Sequence, residues 1–349
     1  MRAMGYAAFG GPITVGHRPD PSPEPDGVVL AVSMTGLCRS DWHGWQGHDP
    51  DVVLPCVPGH EYTGRVVAVG SSVDRQWIGE RVSVPFVCAC GSCVQCRDGQ
   101  GQVCTRQRQP GFTEPGSFAE FVAVPHAAVN LMRLPDAVSD AGAAGLGCRF
   151  ATAWRALRLV GRMAPGESVV VFGAGGVGLA AVMIAMAHDP SAVLAVDVSP
   201  PALRLAADLG AVTVQVGADD APAAIADRVL AHLPEGAHVG IDALGSQALV
   251  QASVLSLDRR GRHVQVGLVA GALAAVPMDR VVSHELAILG SHGLAATDYP
   301  LLLSEVANGS LRPDALVTAV LSLEEGAAAL AALGEPGQPG GVRLIDPSR

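Results

Sequence analysis

The chain has 349 residues, 33 acidic against 23 basic, a net charge of −10, and 49% hydrophobic residues. Every basic residue is arginine, which excludes a lysine Schiff base, a lysine general base and a Walker phosphate loop, since each needs the ammonium group. An acidic chain without a basic tract is not expected to bind nucleic acid, and its length and apolar content fit two well-filled domains.

The opening residues, MRAMGYAAFGG, lack the long apolar stretch of a secretory signal, so a reducing, cytoplasmic setting is expected. From Gly27 to about Val129, short apolar runs (GVVLAVSMTG, TGRVVAVG, GERVSVPF, GSFAEFVAV) are punctuated by glycine and proline. This is the pattern of a small all-β unit. Cys38, His60 and, further on, Cys148 are possible metal ligands, but no local spacing rule joins them. Singly, each also reads as a buried cysteine or a core histidine. The run Cys90-x2-Cys93-x2-Cys96-x7-Cys104 puts four thiols within fifteen residues. Disulfides or free thiols are the alternatives. A closed tetrahedral zinc site of structural type is the expectation, because four sulfurs leave no position for substrate. Cys56 and Cys88 are expected to be non-ligands, and Arg97, Arg106 and Arg108 solvated surface.

From about Ala151 the rhythm changes. VVVFG, AVLAVD, VTVQVG, HVGIDALG and RHVQVGL read as buried strands, separated by Ala/Leu-rich helical stretches such as LAAVMIAMA and PPALRLAADLG. Alternating strands and helices imply a parallel sheet covered on both faces. Val169 to Ala187 is nineteen uncharged residues, long enough to cross a bilayer. Its β-branched opening and four glycines predict a strand, a tight turn and a buried helix instead, and no membrane association. Gly173-Ala174-Gly175-Gly176-Val177-Gly178 matches GxGxxG between that strand and helix, and Asp197 ends the next strand nineteen residues on. The glycines permit the tight turn, the approach of a pyrophosphate and close helix packing, and the acid suits an adenosine ribose. A carboxylate there repels a 2′-phosphate, and no arginine follows within six residues, so NAD is favoured over NADP. A further helix and a Gly/Pro-rich tail follow Leu289.

Together GLCRSDWH, PGHEYTGRVVAVG, the four-cysteine lobe, GSFAEFVAV, Cys148, GAGGVG, Asp197, IDALG and ILGSHG resemble, in order and over nearly the whole length, the zinc-dependent alcohol dehydrogenases of the medium-chain dehydrogenase/reductase superfamily. The resemblance implies an α/β plus β fold. A Rossmann dinucleotide-binding domain (151–287) is inserted in a GroES-like, partly open β-barrel catalytic domain (1–150 and 288–349), whose structural zinc lobe spans about 88–105. It implies two zinc ions per chain, the catalytic one held by Cys38, His60 and Cys148, with Glu61 as an alternate ligand. Asp41 would orient His60, and Ser40 and His43 would relay a proton. Arg39 and Arg343 would contact the pyrophosphate, and Thr152 the nicotinamide. The implied reaction is hydride transfer between a primary or secondary alcohol and NAD, reversibly reducing the aldehyde or ketone, in a homo-oligomer, a tetramer in preference to a dimer. Arg149 departs from the small residue usual after this cysteine, and no lysine follows Asp197.

His43 also reads as an ordinary histidine between Trp42 and Trp45, and His48 as a loop residue. Trp42, Trp45, Phe86 and Phe112 are candidates for an apolar pocket or for simple packing. Two other readings use the same residues: reduction of a conjugated C=C or C=N bond on the same fold, or a non-catalytic nucleotide-binding protein. The latter would require a missing ligand or a blocked pocket.

Overall fold

The computed structural model describes residues 1–269, 273–335 and 337–349. The chain divides into two compact units. Met1–Ala151 forms one with Gly293–Gln338 and Val342–Arg349; Thr152–His292 forms the other with Pro339–Gly341.

The first unit is built on a seven-stranded sheet whose central member is Val28–Leu37. That strand pairs antiparallel with Tyr62–Val69, Phe121–Val124 and Val342–Ile345. Two register shifts against Tyr62–Val69 mark bulges that bend it, so its first half serves one partner and its end another. Arg343 lies opposite Leu37, and Ile345 opposite Thr35. Arg81–Ser83 and Met132–Arg133 extend the sheet on one side and Val317–Leu321 closes the other. The alternating apolar residues of these strands, including Val28, Leu30, Tyr62, Val66, Val82, Val122 and Val124, form one core. Their alternation follows from the period of two along a strand. A two-stranded ribbon, Arg2–Gly5 with Thr14–His17, lies outside this sheet.

The second unit is a six-stranded parallel sheet. In spatial order its strands are Val212–Gln215, Ala192–Asp197, Ser168–Phe172, Ala237–Asp242, Leu257–Gln265 and Ala287–Gly290. Numbered in sequence, this is 3-2-1-4-5-6, the doubly wound order in which ligands bind beyond the carboxyl ends of the strands at the reversal. Ser168–Phe172 is buried at every position, as a central parallel strand with helices on both faces must be. The span-length stretch resolves into this strand, the glycine loop and the eleven-residue helix Gly176–Met186. Among the described residues no helix is long and apolar enough to cross a membrane. The next helix, Pro200–Asp208, starts where Ser199 accepts the Ala202 N–H and two prolines fill the first turn, a favourable N-terminus. The sixth strand, Ala287–Gly290, and the residues to His292 belong to this unit, slightly beyond the boundary read from the sequence. Hydrogen bonding to Leu257–Gln265 ties to the parallel sheet a segment that the sequence reading gave to the catalytic domain from residue 288.

Candidate active site

The central strand of the first unit ends at Leu37, and the next residue, Cys38, is the N-cap of the short helix Arg39–Trp45. Asp41, in the first turn, reaches back so that its Oδ2 accepts the Cys38 N–H at 3.0 Å. Its other oxygen accepts from His60 Nδ1 at 2.9 Å and from the Gly59 N–H at 3.1 Å. One buried carboxylate therefore fixes the backbone of Cys38 and the ring of His60. With the proton of the imidazole held at Nδ1, Nε2 carries a lone pair. It is buried and has no hydrogen-bond partner, an arrangement that costs about 1–3 kcal/mol when left unmet. The ligand atoms of Cys38, His60 and Cys148 lie within 4.8 Å of one another. Two sulfurs and one imidazole nitrogen are the ligand count of a zinc centre that keeps a fourth position open, and an unmet Nε2 is what a metal would satisfy. Hydrogen bonding from Cys148 and the nearby His60 hold the Cys38 thiol well below its ordinary value, against the effect of burial. The hydrogen bond with Cys38, and then burial, push the free Cys148 thiol well above it. Burial works against a charged His60, but Asp41 and then Cys38 prevail and raise it well above its ordinary value, so a metal at Nε2 would take the place of a proton there. Phe86 stands edge-on to the His60 ring at 6.1 Å, and Phe112 is tilted against it at 5.1 Å.

Glu61, next to His60, stays outside that cluster. Its Oε1 accepts the Arg149 N–H at 2.9 Å, and Oε2 accepts from Arg149 Nε at 2.6 Å. The Arg149 Nη2 lies 2.5 Å from Oε2, and both side chains are buried. Arg149 is thus committed to Glu61.

The Ser40 hydroxyl lies 3.8 Å from the Cys38 sulfur. His43, at the end of the same helix, has its Nδ1 3.0 Å from the Nδ1 of His48, with the Trp42 ring edge-on to both imidazoles. Burial, then the charges of Arg39 and His48, hold His43 below its usual value, which favours its neutral form. Arg39 stacks over Trp42 and donates to the Leu333 carbonyl. Arg343 is half-buried, and burial followed by the Arg149 charge lowers its pKa. Thr152 is buried in the helix Arg149–Arg155.

The second cluster is local. Cys93 Sγ is 3.4 Å from Cys96 Sγ and 3.7 Å from Cys104 Sγ, and Cys90 Sγ is 4.0 Å from Cys96 Sγ. All four lie within 4.8 Å of one another, a compact all-sulfur set. Main-chain N–H groups and Ser92 stabilise the thiolate of Cys90, whose pKa falls to about 5. Arg97 and Arg106 both donate to Ser92, and Arg108 bridges Glu24 and Glu114. Arg97 and Arg106 are exposed, as read from the sequence, while Arg108 is half-buried between its two carboxylates. Cys56 and Cys88 stand outside both clusters.

In the second unit, Gly173 adopts φ +91°, which a side chain would strain, and a β-carbon on Gly178 would run into the Gly173 carbonyl. A β-carbon on Gly175 would point into open space. Gly175 is also the N-cap of Gly176–Met186, and no side chain caps it. The first-turn N–H groups, Gly176 and Val177 among them, therefore face a space suited to an anion. Asp197 Oδ2 accepts the Ala174 N–H at 2.6 Å and Oδ1 the Ser199 N–H at 2.7 Å. This ties the loop to the end of the second strand.

Sequence reasoning missed two contacts. The His43–His48 pair forms because Gly47, at φ +76°, reverses the chain after the helix and the His48 N–H bonds the His43 carbonyl. A glycine just past a helix is the usual signal for such a stop. The Glu61–Arg149 pair has no local signal beyond the unusual arginine itself.

Residues 24–136 match the family described as alcohol dehydrogenase GroES-like domain, and residues 176–308 that described as zinc-binding dehydrogenase. An alcohol dehydrogenase of Geobacillus stearothermophilus is 32% identical over 315 residues, 89% of this chain and 90% of that one. An NAD-dependent alcohol dehydrogenase of Sulfolobus acidocaldarius is 32% identical over 354 residues, 99% of both. The solved structure of alcohol dehydrogenase TADH from Thermus sp. ATN1 superposes with a TM-score of 0.89 at 30% identity, covering 99% of each chain. With both family domains matched and relatives this similar from end to end, the chain belongs to the zinc-type alcohol dehydrogenases of the medium-chain dehydrogenase/reductase superfamily.

Proposed function

We propose that the chain interconverts a primary or secondary alcohol and its aldehyde or ketone, with NAD as hydride acceptor or, reduced, as donor. The observation that carries this reading is the Cys38/His60/Cys148 cluster with its unmet, Asp41-oriented Nε2. Zinc, when bound, supplies a Lewis acid against which an alcohol hydroxyl becomes acidic near neutral pH, and NAD supplies the hydride acceptor. Cys38, His60 and Cys148 are the residues that would hold the catalytic ion; Cys90, Cys93, Cys96 and Cys104 would hold a second, structural one. Asp41 keeps the His60 proton on Nδ1 and so keeps Nε2 a donor. Ser40 takes the alcohol's proton, its hydroxyl being 3.8 Å from the Cys38 sulfur, and neutral His43 passes it on towards solvent. Gly173 to Gly178 with the helix start would receive the pyrophosphate, assisted by Arg39 and Arg343, and Thr152 would meet the nicotinamide. Asp197 would accept from the ribose hydroxyls, which favours NAD over NADP. On this reading the first unit is catalytic, the second binds NAD, and the enzyme is a cytoplasmic tetramer.

The test is absorbance at 340 nm with zinc-replete protein, NAD or NADP, and a panel of primary, secondary, benzylic and cyclic alcohols. NAD-preferring reduction that a strong chelator abolishes is expected. Silence across the panel with two zinc ions verified per chain would shift the reading to a specialised carbonyl, imine or enone substrate. Silence with one zinc would remove the catalytic centre from it.

A further inference from the structure

Glu61 and Arg149 each follow a residue of the three-membered cluster, His60 and Cys148. Both carboxylate oxygens are spoken for by Arg149, one by its main-chain N–H and the other by its guanidinium. The remaining arm of Arg149 donates to the Leu37 carbonyl at 3.2 Å, just before Cys38. The Glu61 carbonyl accepts the Gly36 N–H at 2.7 Å and the Thr35 hydroxyl at 3.2 Å. Space for the pair exists because residue 36 is glycine: a β-carbon there would collide with the Glu61 carboxylate and the Arg149 guanidinium. One buried ion pair thus touches the backbone beside all three cluster residues.

The charges say what the pair is for. A divalent ion held by two thiolates and a neutral imidazole is already balanced, so a buried carboxylate beside it needs its own cation. Arg149 is that cation: its Nε donates to Oε2 and its Nη2 lies 2.5 Å from the same oxygen, while its main-chain N–H holds Oε1. Were it removed, the buried carboxylate would lose its partner cation beside the ligand cluster, and binding to the metal would be a way to regain one. We propose that Arg149 is a positioning residue that holds the Glu61 carboxylate out of the metal's coordination and so reserves the fourth position for substrate. This rests on the reading of Cys38, His60 and Cys148 as metal ligands.

The test uses the full chain loaded with cobalt(II), whose visible spectrum reports ligand number. In the wild type, part of the thiolate-to-cobalt absorption should vanish in Cys38→Ser; if none does, the metal reading fails, and the proposal with it. Given that signal, Arg149→Met should weaken the d–d bands of this site as a ligand is added, and kcat/KM with zinc should fall about 10–100-fold. Arg149→Met combined with Glu61→Gln should restore the wild-type band intensity, because no carboxylate remains to intrude. Arg149→Lys, which keeps the charge but loses the fork, should fall between. A wild-type cobalt spectrum in Arg149→Met would overturn the proposal and leave the pair a purely structural one. If that variant does not fold, Arg149→Gln, which also removes the charge, takes its place, and an unchanged spectrum there decides the matter the same way.

Discussion

Asp41→Asn removes a charge and leaves the side-chain shape almost unchanged, and the structure allows its cost to be worked out. Three buried donors converge on this carboxylate: the Cys38 and Gly59 N–H groups and His60 Nδ1. An amide has one acceptor oxygen. If that oxygen faces His60 and Gly59, the amide NH2 confronts the Cys38 N–H. One buried donor is then unmet, at about 1–3 kcal/mol, and two charge-assisted bonds become neutral ones, each weaker by about 1 kcal/mol. If the amide turns over, its NH2 faces the imidazole, which must move its proton to Nε2 and so cease to be a metal donor. The expected loss in the apo-protein is roughly 3–5 kcal/mol, or about 1 M or more in urea midpoint. Tryptophan fluorescence can follow it, since Trp42, Trp45 and Trp77 all lie in the first unit. Zinc retention at this centre should drop about 10–100-fold, read by dialysis against a graded chelator. A variant with the wild-type urea midpoint and undiminished metal retention would falsify the reasoning, because it would mean that the three donors do not depend on the carboxylate.

Cys93→Ser should reduce bound zinc by one ion per chain, measured by elemental analysis, and lower Tm, because the hydroxyl cannot replace a thiolate in an all-sulfur set; undiminished zinc would refute the four-cysteine assignment. Asp197→Ala should raise KM for NAD about 10–100-fold, the worth of a charge-assisted hydrogen bond, while relieving repulsion of a 2′-phosphate. An unaltered NAD to NADP ratio would count against its role at the ribose. His43, held below its ordinary value by burial, Arg39 and His48, with Cys38 and Asp49 opposing, accepts a proton only when neutral. The acid limb of the oxidation rate should therefore fall below the usual histidine value of about 6.5, and rate should be lost as pH drops through it. His43→Gln should abolish that limb; its persistence would assign the limb to another group.

Some of this was legible in the sequence because the signals are local. The four cysteines meet because they share one short loop, and the glycine motif could be placed because strand and helix patterns flank it. Cys38, His60 and Cys148 are different. They converge only after the sheet has set the end of Val28–Leu37 against the start of Tyr62–Val69 and the helix Arg149–Arg155 has begun beside both. Spacing carries no trace of that convergence, and only the family resemblance joined the three. The Arg149–Glu61 pair was less legible still. The sequence marks the arginine as unusual, but its partner is chosen by a cavity that depends on Gly36 in a third segment.

The pairing of Arg343 with Leu37 has a consequence for how the protein comes into being. The strand that ends at Leu37 is translated early, yet its neighbour Val342–Ile345 leaves the ribosome only after the entire parallel sheet of the second unit has been made. At about 5–20 residues per second the metal-binding end of the first unit waits many seconds with one flank unpaired, its thiols open to oxidation or to the wrong ion. The parallel sheet of the second unit, whose six strands all lie between Ser168 and Gly290, has no such wait. Protection of the strands Ser168–Phe172 and Ala237–Asp242 before residues 28–37 in nascent chains stalled ahead of residue 342 would be the signature of this order, and simultaneous protection would rule it out.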